Sequence, residues 1–364
     1  MNNNLDKKKV VIGMSGGVDS AVAAYVLKEQ GYEVIGITMK LWEEDADNYA
    51  EDYGGCCSLS SVEDARLVAD KLDIPFYVIS YKEDFMKTVV DDFVEEYLNG
   101  RTPSPCIRCN KYIKFDALLE TAKSLGAYYV ATGHYGLVKK DEDSGRYLIK
   151  KSKEERKDQS YMMYSLSQDQ IKHVLMPLGV YETKEEVRAI AEREDLIVAR
   201  KKDSQEICFV TDDDYARFVK EHTLKPIPKG NFVDKSGKVL GQHKGIIHYT
   251  IGQRKGLGMT FGKPMYVIKI DPEKNEVVLG DDEDVFTTEL CAKALNFIPF
   301  EKAPEAYKCS AKVRYSSKTS PCTIYNLDDN RVRVIFDLPQ RAVTPGQAVV
   351  FYQDDLLVGG GVIE

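Results

Sequence analysis

The chain has 364 residues, too many for one ordinary core, so two or three domains are expected. Its 43% hydrophobic and 30% charged residues are those of a soluble globular protein, and a net charge of −8 argues against nucleic-acid binding driven by bulk positive charge. The start, "MNNNLDKKKV", carries no apolar signal region and no apolar run reaches membrane-spanning length, so a cytoplasmic protein with no membrane segment is expected.

Taken in chain order, "KKVVIGM" reads as a buried strand. "DSAVAAYVLKEQG" reads as the following helix, with Asp19 or Ser20 at its N-cap and Gly31 at its end. "EVIGITMKLW" is the next strand. "SSVEDARLVADKL" is a helix opened by Ser60 and Glu63 at capping-box spacing. "PFYVISY" is a strand, "EDFMKTVVDDFVEEYL" and "FDALLETAKSLG" are helices, and "YYVATGHY" is a further strand. Strands separated by helices predict a parallel sheet covered on both faces.

"GLVKKDEDSGRYLIKK" predicts a hairpin turned at Ser144-Gly145. Two helices follow in "LSQDQIKHVLMPLG" and "TKEEVRAIAERE", the second with Thr183 and Glu186 as a capping box. After about residue 222 the texture turns rich in Gly, Pro and Lys, with short strands to residue 280. From about residue 284, β-branched alternation in "RVRVIFD", "QAVVFY" and "LLVGGGVIE" predicts a small barrel. The expected domains are 1–222 (α/β), 223–283 (small central domain) and 284–364 (β-barrel).

Lys and Arg cluster in "KKSKEERK", "RKKD", "HKGIIHYTIGQRKG" and "KVRYSSK". Any one of these reads as a solvated face. Four in an acidic chain keep a structured RNA partner in view.

Eight cysteines in a reducing compartment point to thiol chemistry or metal ligation over a disulfide framework. Cys291, Cys309 and Cys322 sit in strand-like context and read as core residues, and Cys56 and Cys57 as local packing. Cys106 and Cys109, in "GRTPSPCIRCNKYIKF", read as a metal staple, a redox pair or a nucleophile with its helper. A closed zinc site would need four ligands, and no second C-x-x-C supplies them.

"GMSGGVDSA" follows the first strand and opens the first helix. Such a glycine turn directs backbone N–H groups at an anion on the helix N-terminus. The Gly-Lys-Ser/Thr ending of a P-loop and the G-x-G-x-x-G of a dinucleotide site are both missing. Backbone donors and hydroxyls must then hold the phosphates, with Asp19 placed for Mg²⁺.

S-G-G-x-D-S in this position resembles the pyrophosphate loop of the N-type ATP pyrophosphatases. The wider set, "GRTPSPCIRCNKYIKF", "ATGHY", "KDQSYMMYSLSQDQ", "KKDSQEICFV", "GQHKGIIHYTIGQRKGLG", "VRYSS" and "AVTPGQAVVFY", resembles the bacterial tRNA-specific 2-thiouridylases through nearly the whole chain. The resemblance implies an α/β ATP pyrophosphatase domain that sulfurates C2 of the wobble uridine in tRNAs for Lys, Glu and Gln. ATP would adenylate the C2 oxygen and sulfur would displace AMP.

It further implies that Gly13, Met14, Ser15, Gly16, Gly17, Val18, Asp19 and Ser20, with Met39 and Gly133, hold ATP. Ser104, Pro105, Cys106, His134, Lys157, Asp158, Gln159, Arg314, Tyr315 and Gln347 match tRNA-contacting positions. Cys109 matches the family nucleophile and Cys208 the persulfide carrier, with Arg108, Lys111 or a helix N-terminus favouring the thiolates. The donor would be a cysteine desulfurase or a sulfur-relay protein, and nothing demands more than a monomer. Cys106 departs from the commoner family pattern, which has Asp there. Three cysteines, Cys106, Cys109 and Cys208, leave open a 4Fe–4S cluster carrying the sulfide. A Cys106–Cys109 redox pair is weakened by Pro105. An amide-forming ligase of the same ATP-using group, and a non-catalytic RNA binder, are the readings from other classes.

Overall fold

The computed structural model describes residues 5–42, 59–202, 207–210, 212–302, 304–328 and 330–364. Cys56 and Cys57 lie outside them. The chain divides into two compact units. The first holds residues 1–88, 106–213 and 355–357, and the second holds 89–105, 214–354 and 358–364.

The first unit is built on a parallel sheet. Its strands are β1 (Asp6–Gly13), β2 (Glu33–Lys40), β3 (Phe76–Ser80), β4 (Ala127–Ala131) and β7 (Val174–Leu175), in the order β3-β2-β1-β4-β7. The β-branched run Val10, Val11 and Ile12 is fully buried at its centre, as expected of a strand covered on both faces. Register is parallel throughout, with Val11 opposite Ile35 and Val130. The edge strand β7 falls inside a stretch predicted to be helical. There the helix Gln168–Lys172, capped by Ser167 and Gln170, stops early, and Val130 N–H bonds the His173 carbonyl to start sheet pairing.

Helix α1 (Val18–Glu29) is buried nearly all round by Ala21, Val22, Ala23, Ala24 and Leu27, small residues that let it lie close to the sheet. Gly31, at φ +84°, ends it as predicted. Its N-cap is Gly17, however, and neither Asp19 nor Ser20 caps it. Ser60 likewise lies inside helix α2 (Leu59–Lys71), so it does not cap that helix. Helix α3 (Lys184–Arg193) is capped by Thr183, whose Oγ1 accepts from Glu186 N. Glu186 does not complete the predicted box; its carboxylate takes the Thr183 hydroxyl. Val187 and Ala191 of α3 join the core formed by α1, α2, β1 and β2. The hairpin of β5 (Leu137–Lys140) and β6 (Tyr147–Lys150) turns at Ser144-Gly145 as predicted, and Lys150 pairs with Leu356.

Two helical segments of the chain change pitch. Met86–Val90 and Asn110–Ala117 are π-helical, the second running on from the short helix Pro105–Cys109 and into Leu118–Ser124. Such wide turns are rare and concentrate at functional sites.

The second unit holds a four-stranded sheet and a barrel. The sheet has β8 (Gly230–Val233), β9 (Val239–His243), β10 (Tyr266–Asp271) and β11 (Glu276–Gly280), in the order β10-β11-β8-β9. The barrel is closed by β12 (Phe286–Phe297), which pairs with both β15 (Arg331–Arg341) and β17 (Leu356–Ile363). Strands β14 (Ser320–Asp328), β13 (Ala306–Lys312) and β16 (Ala348–Gln353) complete the ring. Closure removes open edges, so six short strands form a stable unit. Cys322 is buried in the barrel core as expected, whereas Cys309 and Cys291 are only half-buried. No helix among the described residues is long and apolar enough to cross a membrane.

Phe351 is fully buried in the barrel core. Phe351→Ala should lower the stability of this unit by about 3–5 kcal/mol, read as a shifted urea midpoint with an unchanged slope.

Candidate active site

The glycine turn is built at the end of β1. Met14 N–H bonds the Ile37 carbonyl and its own carbonyl accepts from Thr38 Oγ1 at 2.8 Å, so both backbone groups are tied to β2. Gly16 sits at φ +67°, where a side chain would run into the Ser61 backbone of α2. The Ser20 hydroxyl donates to the Gly17 carbonyl at 3.1 Å and accepts from Ser15 N at 3.2 Å. Ser20 is thus a staple across the turn. The first intrahelical bond runs from Ala21 N to the Gly17 carbonyl, so the N–H groups of Val18, Asp19 and Ser20 lie outside the ladder and face the helix entrance.

The residues predicted around this turn do converge on it. Gly133, after β4, approaches so closely that a Cβ there would meet Asp19 C and Ser20 N at 2.7 Å. Met39, near the end of β2, reaches over Gly13, its Cε lying 3.2 Å from where a Cβ would stand.

Sequence reasoning missed two partners of Asp19. The Tyr135 hydroxyl donates to Asp19 Oδ1 at 2.8 Å, and Lys184 Nζ forms an ion pair with the same oxygen. Tyr135 is buried and Lys184 is only 6% exposed, its ammonium 5.7 Å from the Tyr135 ring centre. Lys184 is the first residue of α3, where a cation opposes the helix dipole and its burial is unfavourable. A lysine directly after a Thr cap, ahead of Glu185 and Glu186, was the available signal. Only the packing of α3 on α1 explains it.

Gln159 belongs to the same network. Its backbone N–H bonds the Tyr135 carbonyl and its Oε1 accepts from Tyr135 N at 3.0 Å. Asp158 accepts from Ser152 N at 2.9 Å and from the Ser160 hydroxyl at 2.7 Å, while Lys157 stands half-exposed beside them. His134 shares a 2.7 Å hydrogen bond with Thr132 Oγ1 and is 9% exposed. Burial, with the Lys114 charge adding to it, holds this imidazole well below its ordinary value of 6.5.

The cysteines lie on separate supports of the first unit. The helix Pro105–Cys109 begins at Pro105, a favourable first position, so Cys106 is in its first turn and Cys109 in its last. The proline therefore starts this helix, contrary to its expected effect. Arg108 donates to the Thr88 carbonyl at 3.1 Å, and Arg108 and Lys111 both lie over the Tyr112 ring. Cys208 is held by its neighbour Phe209, which packs on Phe85 and Trp42 with ring centres 5.5 and 6.3 Å apart. The helical turn Lys82–Phe85 also touches Asn110–Ala117, so one element supports both cysteine segments. Cys109 is buried; Cys106 and Cys208 are exposed. Among the described residues no three His, Cys, Asp or Glu side chains gather as metal ligands.

In the second unit, Gln347 Nε2 donates to the Thr102 and Pro103 carbonyls at 3.1 and 2.8 Å, fixing the segment that carries Ser104 and Pro105. Arg314 and Tyr315 lie after β13, with Tyr315 exposed and Lys312 over its ring.

Because folding keeps His134 neutral while the unfolded imidazole takes a proton near 6.5, its contribution to stability is lost as pH falls below about 6.5. His134→Gln should flatten that loss when urea midpoints are compared at about pH 7.5 and 5.5.

A family model described as the tRNA methyl transferase HUP domain matches residues 8–212. One described as the tRNA methyl transferase PRC-barrel domain matches 216–281, and an aminomethyltransferase beta-barrel domain matches 287–363. The chain is 60% identical over 357 residues to the "tRNA-specific 2-thiouridylase MnmA" of Clostridium acetobutylicum, covering 98% of this chain and 99% of that one. Proteins of the same name from Clostridioides difficile and Acetivibrio thermocellus are 57% and 56% identical, covering 98% of both chains in the first case, and 99% of this chain and 100% of the relative in the second. With such identity along almost the whole length of both partners, the chain belongs to the tRNA-specific 2-thiouridylase family.

Proposed function

We propose that the protein is an ATP-dependent tRNA-uridine 2-sulfurtransferase acting on the wobble uridine of tRNAs for Lys, Glu and Gln. The observation that carries the reading is the presence, in one compact unit, of an anion-binding glycine turn and of both Cys109 and Cys208. A uracil C2 carbonyl is a poor electrophile with a poor leaving oxygen. Attack of O2 on the α-phosphate of ATP releases pyrophosphate and makes that oxygen a leaving group. The base must leave the anticodon stack to be reached.

The phosphates lie against the N–H groups of Val18, Asp19 and Ser20, with Ser15 and Ser20 hydroxyls beside them. Lys184 supplies the cation that the glycine turn lacks in sequence. Asp19 would be the residue that holds Mg²⁺, and the ion would neutralise charge on the leaving pyrophosphate. Met39 and Gly133 border the nucleotide.

Sulfur arrives from a persulfide-bearing donor, a desulfurase or a relay protein, as the outer sulfur of a Cys208 persulfide. That sulfur attacks C2 and AMP leaves with the former O2. The Cys109 thiolate then attacks Cys208 Sγ, forming a Cys109–Cys208 disulfide and freeing the C2 thiocarbonyl. An external thiol reduces the disulfide for the next cycle. Cys106 lies one helical turn before Cys109 and takes no electrons in this scheme. His134, Lys157, Asp158, Gln159, Arg314, Tyr315 and the 104–106 segment contact the tRNA. Gln347 acts from behind, through the Thr102 and Pro103 carbonyls.

Cys208→Ser should abolish 2-thiouridine formation, measured by mass spectrometry of digested tRNA, while tRNA binding and tRNA-dependent pyrophosphate release persist. Pyrophosphate release that needs neither Cys208 nor tRNA, with no 2-thiouridine formed by wild type, would point instead to a ligase of the same ATP-using group. Iron and acid-labile sulfide should stay near zero in active, anaerobically purified enzyme; iron near four per chain, lost with activity in Cys106→Ser, would make a 4Fe–4S cluster on Cys106, Cys109 and Cys208 the sulfur carrier instead. Lys184→Met should slow pyrophosphate release about 100-fold or more, in proportion to the lost charge on the transition state.

A further inference from the structure

Asn110 directly follows Cys109 and opens the π-helical segment Asn110–Ala117. Its side chain is 2% exposed, and its Oδ1 is buried without a hydrogen-bond partner. A buried amide left unpaired costs about 1–3 kcal/mol, and natural proteins keep few of them. Among the described residues only two other side-chain atoms share this condition, Ser165 Oγ and His248 Nε2.

A carboxamide has an acceptor and a donor side by side, at the spacing of a cyclic imide. Its oxygen accepts from a ring N–H and its NH₂ donates to the adjacent ring carbonyl. Uracil presents that pair as N3–H and O4, and N3 is bonded directly to C2, the carbon to be sulfurated. Asn110 follows Cys109 directly in the chain, so its amide and the thiol are carried by adjacent residues.

We propose that Asn110 reads the N3–H/O4 edge of the flipped target uridine and holds C2 toward the thiols. The proposal rests on the thiouridylase reading and adds the residue that selects and orients the base. The base supplies the partner that Asn110 Oδ1 lacks within the folded chain.

The test compares wild type with Asn110→Leu and Asn110→Ala on tRNA transcripts bearing uridine or N3-methyluridine at the wobble position. Thermal unfolding and 2-thiouridine formation are measured on the same samples. Wild type should reject the N3-methyl substrate by about 100-fold or more, as sites built around a buried hydrogen bond do. Both variants should lose about 100-fold in kcat/KM on uridine, their preference over N3-methyluridine should fall below about tenfold, and Asn110→Leu should keep or raise Tm because an unpaired polar group has been removed. A rate on uridine within about threefold of wild type overturns the proposal, as does a preference that stays at the wild-type ratio while Tm and activity fall together; either result makes Asn110 a structural residue or the seat of a buried water. Absence of 2-thiouridine from the wild-type reaction would instead remove the enzymatic reading itself, so the two failures are distinguishable.

Discussion

The glycine-turn end of the first unit depends on one ion pair, in which Lys184 is buried and Asp19 is a third exposed. Asp19, in the first turn of α1, is gripped on a single oxygen by Lys184 from the start of α3 and by Tyr135 from the loop after β4. The Lys184 ammonium would not be tolerated alone at its depth, because desolvation of an unpaired ion is far more costly than a lost surface contact. The pair therefore holds three elements in one arrangement: the glycine turn, the loop carrying Gly133 and His134, and α3. Gly133 needs its missing Cβ for the same reason, since that loop rests directly on the α1 backbone.

A P-loop places its cation next to its glycines in sequence. Here the cation beside the glycine turn comes from 165 residues away and is paired with Asp19. The turn and its nearest ammonium are therefore joined only by the tertiary fold.

The cysteine segments follow a different physical logic. Cys208 stands exposed on a loop anchored by Phe209, and Cys109 is buried at the end of a helix that Pro105 starts. The pitch changes to π-helical directly after Cys109, and the first residue of that segment carries an amide oxygen with no partner.

Much of this was legible in the sequence because it depends on local rules. Apolar runs bounded by glycine and caps marked β1, α1 and β2, and the alternation of the last 80 residues marked a barrel. S-G-G-x-D-S marked a glycine turn between β1 and α1, and Cys109 and Cys208 stood out by motif. Tertiary structure decided the rest. Gly17 replaced Asp19 as the cap because Asp19 is drawn to Lys184 and Tyr135, and β7 ended a predicted helix because sheet pairing with β4 took its backbone groups. The residues that complete the site, Lys184, Tyr135 and Asn110, carry no local signature of their task. Their chemistry comes from burial and from which distant group each one faces, and neither is encoded within a few residues of chain.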